Sequence, residues 1–251
     1  MESPTPWSGS SEQRIIRELF LTKEGGLAPG TYSEKYGRVF EELLIRELQL
    51  LTHLETDYDL RFARGYVVED YAGSDSGDID PNVEFEALSN GPRFDIVCYS
   101  GEVAWSSYSG WPMAIVPRSF AVGVIEAKRT LSPGYLPKKS SRAINDQLAT
   151  QQSYLKGLGI DVPLILIGAH YSGDRNEIQR RARADFVALL GDLSEKGSAV
   201  KMAHAGELQK VISLLITGEV PLDDDEKAKR EKVSDLQNIA KSLDASESDS
   251  E

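Results

Sequence analysis

Apolar residues spaced three and four apart open the chain. Ile15, Ile16, Leu19 and Phe20 follow Ser10, Ser11 and Glu12, which predicts a capped amphipathic helix ending by Gly25 and Gly26. Val39, Phe40, Leu43, Leu44 and Leu48 repeat the pattern, predicting a stronger helix over residues 34–52 capped by Ser33. The period then shortens to that of a strand. Residues 60–70, 93–99, 113–116 and 121–131 are rich in β-branched and aromatic side chains and read as four strands. Residues 100–112 hold Trp105, Tyr108 and Trp111 among serines and glycines. They read as a long connection whose aromatics either cover the sheet or stack on bases. Ile144, Leu148 and Leu155 predict a helix over residues 142–156, capped by Ser140 or Ser141. The apolar run 162–169 predicts a buried strand, parallel and central. Residues 176–190 read as an amphipathic helix, 199–203 as a short edge strand, and 207–217 as a last helix with a stripe of Leu208, Val211, Ile212, Leu215 and Ile216.

This alternation of helices and strands predicts an α/β fold with a mixed central sheet flanked by helices. Three parts are expected: a 1–32 extension with one helix, a 33–221 domain, and a 222–251 acidic, largely disordered tail.

Charges interrupt two of the apolar strands. Asp95 stands among Phe94, Ile96 and Val97, and Glu126 and Lys128 close a strand carrying Val122, Val124 and Ile125. Side chains two apart on a strand point to one face, so Glu126 and Lys128 lie side by side. Charges at the end of a buried strand need a partner or a task. A carboxylate beside an ammonium can hold a divalent metal and position a water; a solvated salt bridge is the plain alternative. Asp225-Glu226-Lys227 has the same acid-x-Lys spacing but lies in a polar tail with no strand around it.

An Asp-bearing strand followed by a Glu-x-Lys strand resembles the PD-(D/E)xK nuclease superfamily. The matching pieces are Phe94-Asp95-Ile96-Val97 and Val124-Ile125-Glu126-Ala127-Lys128. Within it the chain looks most like bacterial families of unknown function that share a Gly-x-x-x-Glu helix, an Asp-Ile-Val strand and an Ile-Glu-x-Lys strand. The resemblance spans about half of the chain and implies a restriction-endonuclease-like core. It implies that Asp95 and Glu126 hold Mg²⁺ (or Mn²⁺) and that Lys128 orients or activates the attacking water. It also implies a glutamate from the first core helix, Glu41 by its spacing from Gly37, with Glu42 beside it. A polar residue on the helix after the Glu-x-Lys strand is implied as well; Gln147 is the candidate, with Gln151 and Gln152 nearby. No proline marks the position that gives the superfamily its name.

Net charge is −12, unusual for a protein that grips nucleic acid. Residues 223–251 hold ten acids and five bases and so carry −5 of it. Two basic groups stand out elsewhere: Lys128, Arg129, Lys138, Lys139 and Arg142, then Arg175, Arg180, Arg181 and Arg183. Flanking a site they would attract phosphates; otherwise they are solvated faces. The acidic charge suggests a protein partner that supplies DNA binding, or a silent interaction protein on the same fold with the tail as contact arm. Cys98 is the one cysteine, in an apolar strand, and reads as a core residue. The three histidines lack zinc-ligand spacing. Asp78, Asp80 and Asn82 alternate as in a calcium loop but lack its glycine and closing glutamate. The start has no basic region and apolar core, and no apolar run could span a bilayer, so a cytoplasmic protein is expected.

Overall fold

The computed structural model describes residues 9–24, 32–70, 91–108, 111–136, 143–192 and 203–219. The helices are α1 (Ser11–Glu24), α2 (Tyr32–Glu55), α3 (Ile144–Gly157), α4 (Arg175–Arg181) and α5 (Glu207–Thr217). The strands are β1 (Arg61–Val68), β2 (Phe94–Tyr99), β3 (Ala104–Tyr108), β4 (Trp111–Pro117), β5 (Ala121–Leu131), β6 (Leu164–Tyr171) and β7 (Phe186–Leu189). They form one seven-stranded mixed sheet in the order β3-β4-β1-β2-β5-β6-β7. β2 runs antiparallel to β1 and β5, whereas β5, β6 and β7 are mutually parallel. This is an α/β fold in which β1, the Asp95 strand β2, the Glu126 and Lys128 strand β5, and β6 lie side by side.

The sheet is covered on both faces, as its alternating side chains require. Val97, Val124, Leu164 and Leu166 pack with Leu148 and Leu155 of α3 in one apolar cluster. The alternate residues Ile96, Cys98, Ile125, Ile165 and Ile167 are equally buried but face away from that cluster. On their side Gly123 leaves room for α5, since a Cβ there would meet Leu215 Cδ2. All six residues of β2 are buried, which fits its place at the centre of the sheet.

α1 packs on α2 and α5. Arg14 fastens it, donating from Nε (3.0 Å) and Nη2 (2.6 Å) to Glu47 Oε2, a carboxylate with no exposed surface. The Ser10 hydroxyl accepts from Gln13 N (3.3 Å), the cap expected of α1. A buried carboxylate caps α5, Glu12 Oε1 accepting from Leu208 N (2.9 Å), while Glu207 in its first turn accepts from Arg175 Nη2 (2.8 Å) and Lys210 Nζ (3.2 Å). Both sit where a helix N-terminus favours negative charge.

Three elements differ from the sequence reading. Within the stretch expected to be a long connection, Ala104–Tyr108 forms β3 and pairs antiparallel with β4, which itself begins at Trp111. Serines and small residues weaken the strand signal, but an edge strand needs only one partner and tolerates them. The helix expected over residues 176–190 stops at Arg181, where Ala182 turns extended (φ −69°, ψ 138°). Phe186–Leu189 then pairs parallel with β6. A short buried apolar run has no periodicity that separates helix from strand, so the pairing decides. β6 is parallel to both neighbours, but one place from the edge and not central. Of the edge strand expected at 199–203, only Ala203 is described, as an isolated bridge to Gly191. The calcium-like loop, Lys138, Lys139, Arg142 and the acidic tail lie outside the described residues.

The β1–β4 pairing rests on one absent side chain. Gly65 sits where the β1 register shifts, opposite Ala114, and a Cβ there would meet Ala114 O and come within 2.9 Å of its carbonyl carbon. Backbone cannot yield as a flexible side chain does. Gly65→Ala is therefore expected to destabilise the protein by about 1–3 kcal/mol through overpacking, read as a lowered denaturant midpoint.

Candidate active site

The site forms where β2 and β5 run side by side. Their antiparallel register pairs Ile96 with Ile125. One residue further along each strand stand Asp95 and Glu126, so the two acids are brought opposite each other. Asp95 Oδ2 accepts from Ala127 N (3.0 Å), continuing the ladder with a side chain. Lys128 follows two residues after Glu126 and its ammonium donates to Glu126 Oε1, as the strand spacing predicts. Lys128 Nζ also lies 3.9 Å from Asp95 Oδ2.

Glu126 has no exposed surface, whereas the Lys128 side chain keeps 26% of its own. The cluster is thus dry at Glu126 and wet at Lys128. Burial raises the Glu126 carboxyl to about 7, helped by repulsion from Asp95 and opposed by Lys128 and Gln151. Burial works against the Lys128 charge, but Glu126 and Asp95 outweigh it and leave the ammonium above its usual range. Lys128 is therefore a cation at neutral pH. That suits it to orient a water or neutralise developing charge, and makes it a poor base.

The helix glutamine that reaches this cluster is Gln151, not Gln147. Gln151 Nε2 donates to Glu126 Oε2 (2.7 Å) and the residue is buried. Gln147 lies half-buried in the first turn of α3, one turn before it on the same helix face. Spacing places both residues on that face, and only the docking of α3 on β5 selects the deeper one. Gln151 Oε1 is buried without a hydrogen-bond partner, a costly state that requires compensation.

Glu41 is buried and Glu42 exposed. Glu41 Oε2 accepts from Arg64 Nε (2.5 Å), and Arg64 also donates to Arg38 O (2.7 Å). Burial and then Asp95 raise the Glu41 carboxyl, against the pull of Arg64 and Arg93. Glu41 thus feels Asp95 and adds to the field on Lys128. The sequence reading missed Arg64 and Arg93. Arg64 carried a signal, a charge set among the apolar residues of a strand, as Asp95 was. Cys98 is buried and its thiol is pushed well above the ordinary range by burial, as a core residue's should be.

The donors present suit a hard cation. Asp95 and Glu126 supply carboxylate oxygens, and Gln151 Oε1 is a buried oxygen that lacks a partner. Among the described residues no three Asp, Glu, His or Cys side chains converge as a complete cage.

No family model matches the chain, so the likeness to bacterial families of unknown function finds no counterpart there, and no curated protein matches it either. Solved structures do resemble it. NucC of P. aeruginosa ATCC27853 in its cAAA-bound form shares 15% identity with a TM-score of 0.49, over 93% of this chain and all of that one. NucC of E. coli MS115-1 shares 14% identity in its cAAA-bound form, with a TM-score of 0.45 over 87% of this chain and 93% of that one. Its apo form shares 13%, with a TM-score of 0.38 over 87% and 96%.

The raised Glu126 carboxyl has a signed consequence. Its ordinary value is 4.5 and its folded value about 7, so folding favours the protonated form. Its contribution is present below pH 4.5 and is lost as pH rises through about 7. With no divalent metal added, wild type should lose stability relative to Glu126→Gln as pH rises across this window. Denaturant unfolding of both proteins at several pH values measures the difference.

Proposed function

We propose that this protein is a metal-dependent nuclease that hydrolyses phosphodiester bonds in DNA or RNA. One observation carries the reading: two carboxylates from adjacent strands, Asp95 and Glu126, are held opposite each other with Lys128 between them and solvent. Burial first, and then repulsion from Asp95, raises the Glu126 carboxyl, and a divalent cation would relieve that repulsion. Asp95 and Glu126 would hold Mg²⁺ or Mn²⁺, with water and substrate completing the coordination. When bound, such a metal lowers the pKa of a water and offsets charge on a phosphate.

The protein's own groups do the rest. The Ala127 amide fixes the Asp95 carboxylate and Gln151 fixes that of Glu126. The other Glu126 oxygen, Oε1, accepts from Lys128, so a bound metal would share it with that ammonium. Lys128 is a cation on the solvent side of the pair, where an attacking water or a phosphate oxygen would arrive. Glu41, secured by Arg64, adds negative charge behind Asp95 and keeps Lys128 protonated. Among the described residues no helix is long and apolar enough to cross a membrane. A silent interaction protein on the same fold is the second reading; it predicts no loss of metal binding when Asp95 is changed.

Plasmid and labelled oligonucleotides of DNA and RNA, incubated with Mg²⁺ or Mn²⁺, test both readings. Cleavage by wild type should fall about 100-fold or more in Asp95→Ala and Lys128→Ala. Calorimetry should show divalent metal binding to wild type that Asp95→Asn weakens. Cleavage that survives in both variants would move the chemistry to another site, and absence of both metal binding and cleavage would favour the interaction protein. Metal affinity should also increase as pH rises through about 7, since Glu126 must shed its proton to act as a ligand.

A further inference from the structure

The geometry points to Arg93 as the residue that grips a substrate phosphate beside the carboxylate pair; this rests on the nuclease reading. Beyond Lys128, three arginines are candidates, and in a chain of net charge −12 what each one is bound to matters. Arg64 is committed: it donates to Glu41 and to Arg38 O, with Glu42 at 3.4 Å, and it is buried. Arg118 lies on the far side of β1's end, tied to Glu69, Asp70 and Leu158 O. Arg93 is different. Its side chain is 42% exposed, and its Nη2 lies 3.7 Å from Asp95 Oδ1, beyond hydrogen-bond distance. It also pulls the Glu41 carboxyl downward, so its charge acts on both acids.

Sequence and packing both hold it there. Arg93 is two residues before Asp95 on an extended approach to β2, so the two side chains leave the chain on the same side. Before Pro92, the chain at Gly91 runs so close to the Tyr154 ring that a Cβ would fall 2.8 Å from Cε2. Tyr154 is itself anchored by its hydroxyl donating to Val67 O (2.9 Å). The guanidinium thus stands on a fixed base at the solvent edge of the site. Its planar fork matches two phosphate oxygens. A cation held near Asp95 but not hydrogen-bonded to it can turn to a phosphate without breaking a strong contact. Metal bound at Asp95 would weaken even the existing attraction.

The test titrates the full-length protein onto short labelled DNA, single- and double-stranded, and RNA of the same sequence, with Ca²⁺ in place of Mg²⁺, at several salt concentrations. On whichever probe wild type binds, Arg93→Ala should weaken binding about tenfold and lower the slope of log K against log salt by about 1. Arg93→Lys should recover the slope but only part of the affinity, because a point charge replaces the fork. Unchanged affinity and slope in Arg93→Ala, while wild type binds and cleaves, would overturn the role of Arg93 and leave the nuclease reading standing. A wild type that binds no probe and cleaves none in Mg²⁺ or Mn²⁺ would overturn that reading and the role of Arg93 with it.

Discussion

Glu126 is a carboxylate with no access to water in the middle of a sheet, and the surrounding structure answers to that fact. A buried charge is tolerated only when paired and hydrogen-bonded. Lys128 and Gln151 supply those bonds, one to each oxygen. Neither partner is enough alone, since the carboxyl still stands near 7. The site is therefore a place where the fold gives up stability, and such concessions cluster where a protein does chemistry.

The partners come from separate elements, which ties the site to the whole domain. β5 brings Glu126 and Lys128, β2 brings Asp95, and α3 brings Gln151. The β2–β5 register decides that Asp95 meets Glu126; a slip of one residue would send Asp95 to the opposite face. α3 must lie at one depth on β5 for Gln151, and not a neighbour on its face, to reach Oε2. α2 contributes Glu41, held by an arginine of β1, so one more helix and one more strand share in the electrostatics of the cluster. The cluster is closed to solvent at Glu126 and reaches it at Lys128 and Arg93.

The exposed side of the cluster also bears on how an acidic protein could take a polyanion. Of the arginines expected to form a basic patch, Arg175 is turned inward onto Glu207 and Arg181 is paired with Glu177 (2.8 Å). Arg180 and Arg183 of the same group are exposed.

Much was readable from residue order alone. The helices of 11–24, 32–55 and 207–217 and the strands bearing Asp95 and Glu126 follow from period and capping, because those signals are local. So does the side-by-side placement of Glu126 and Lys128, which strand geometry imposes. What order alone left open was long-range. Phe186–Leu189 became a strand only because β6 offered a free parallel edge. Ala104–Tyr108 became one because β4 offered an antiparallel edge. Asp95 stands out of place among apolar neighbours, but its partner is set by pairing across the 30 residues of chain between it and Glu126. Gln151 was chosen over Gln147 by the depth at which α3 docks, and Arg64 and Arg93 were joined to the site by tertiary proximity. The sequence by itself determined which residues carry charge into apolar surroundings. The tertiary structure decided which of those charges meet, because burial and distance, not residue type, set the energy of a charge.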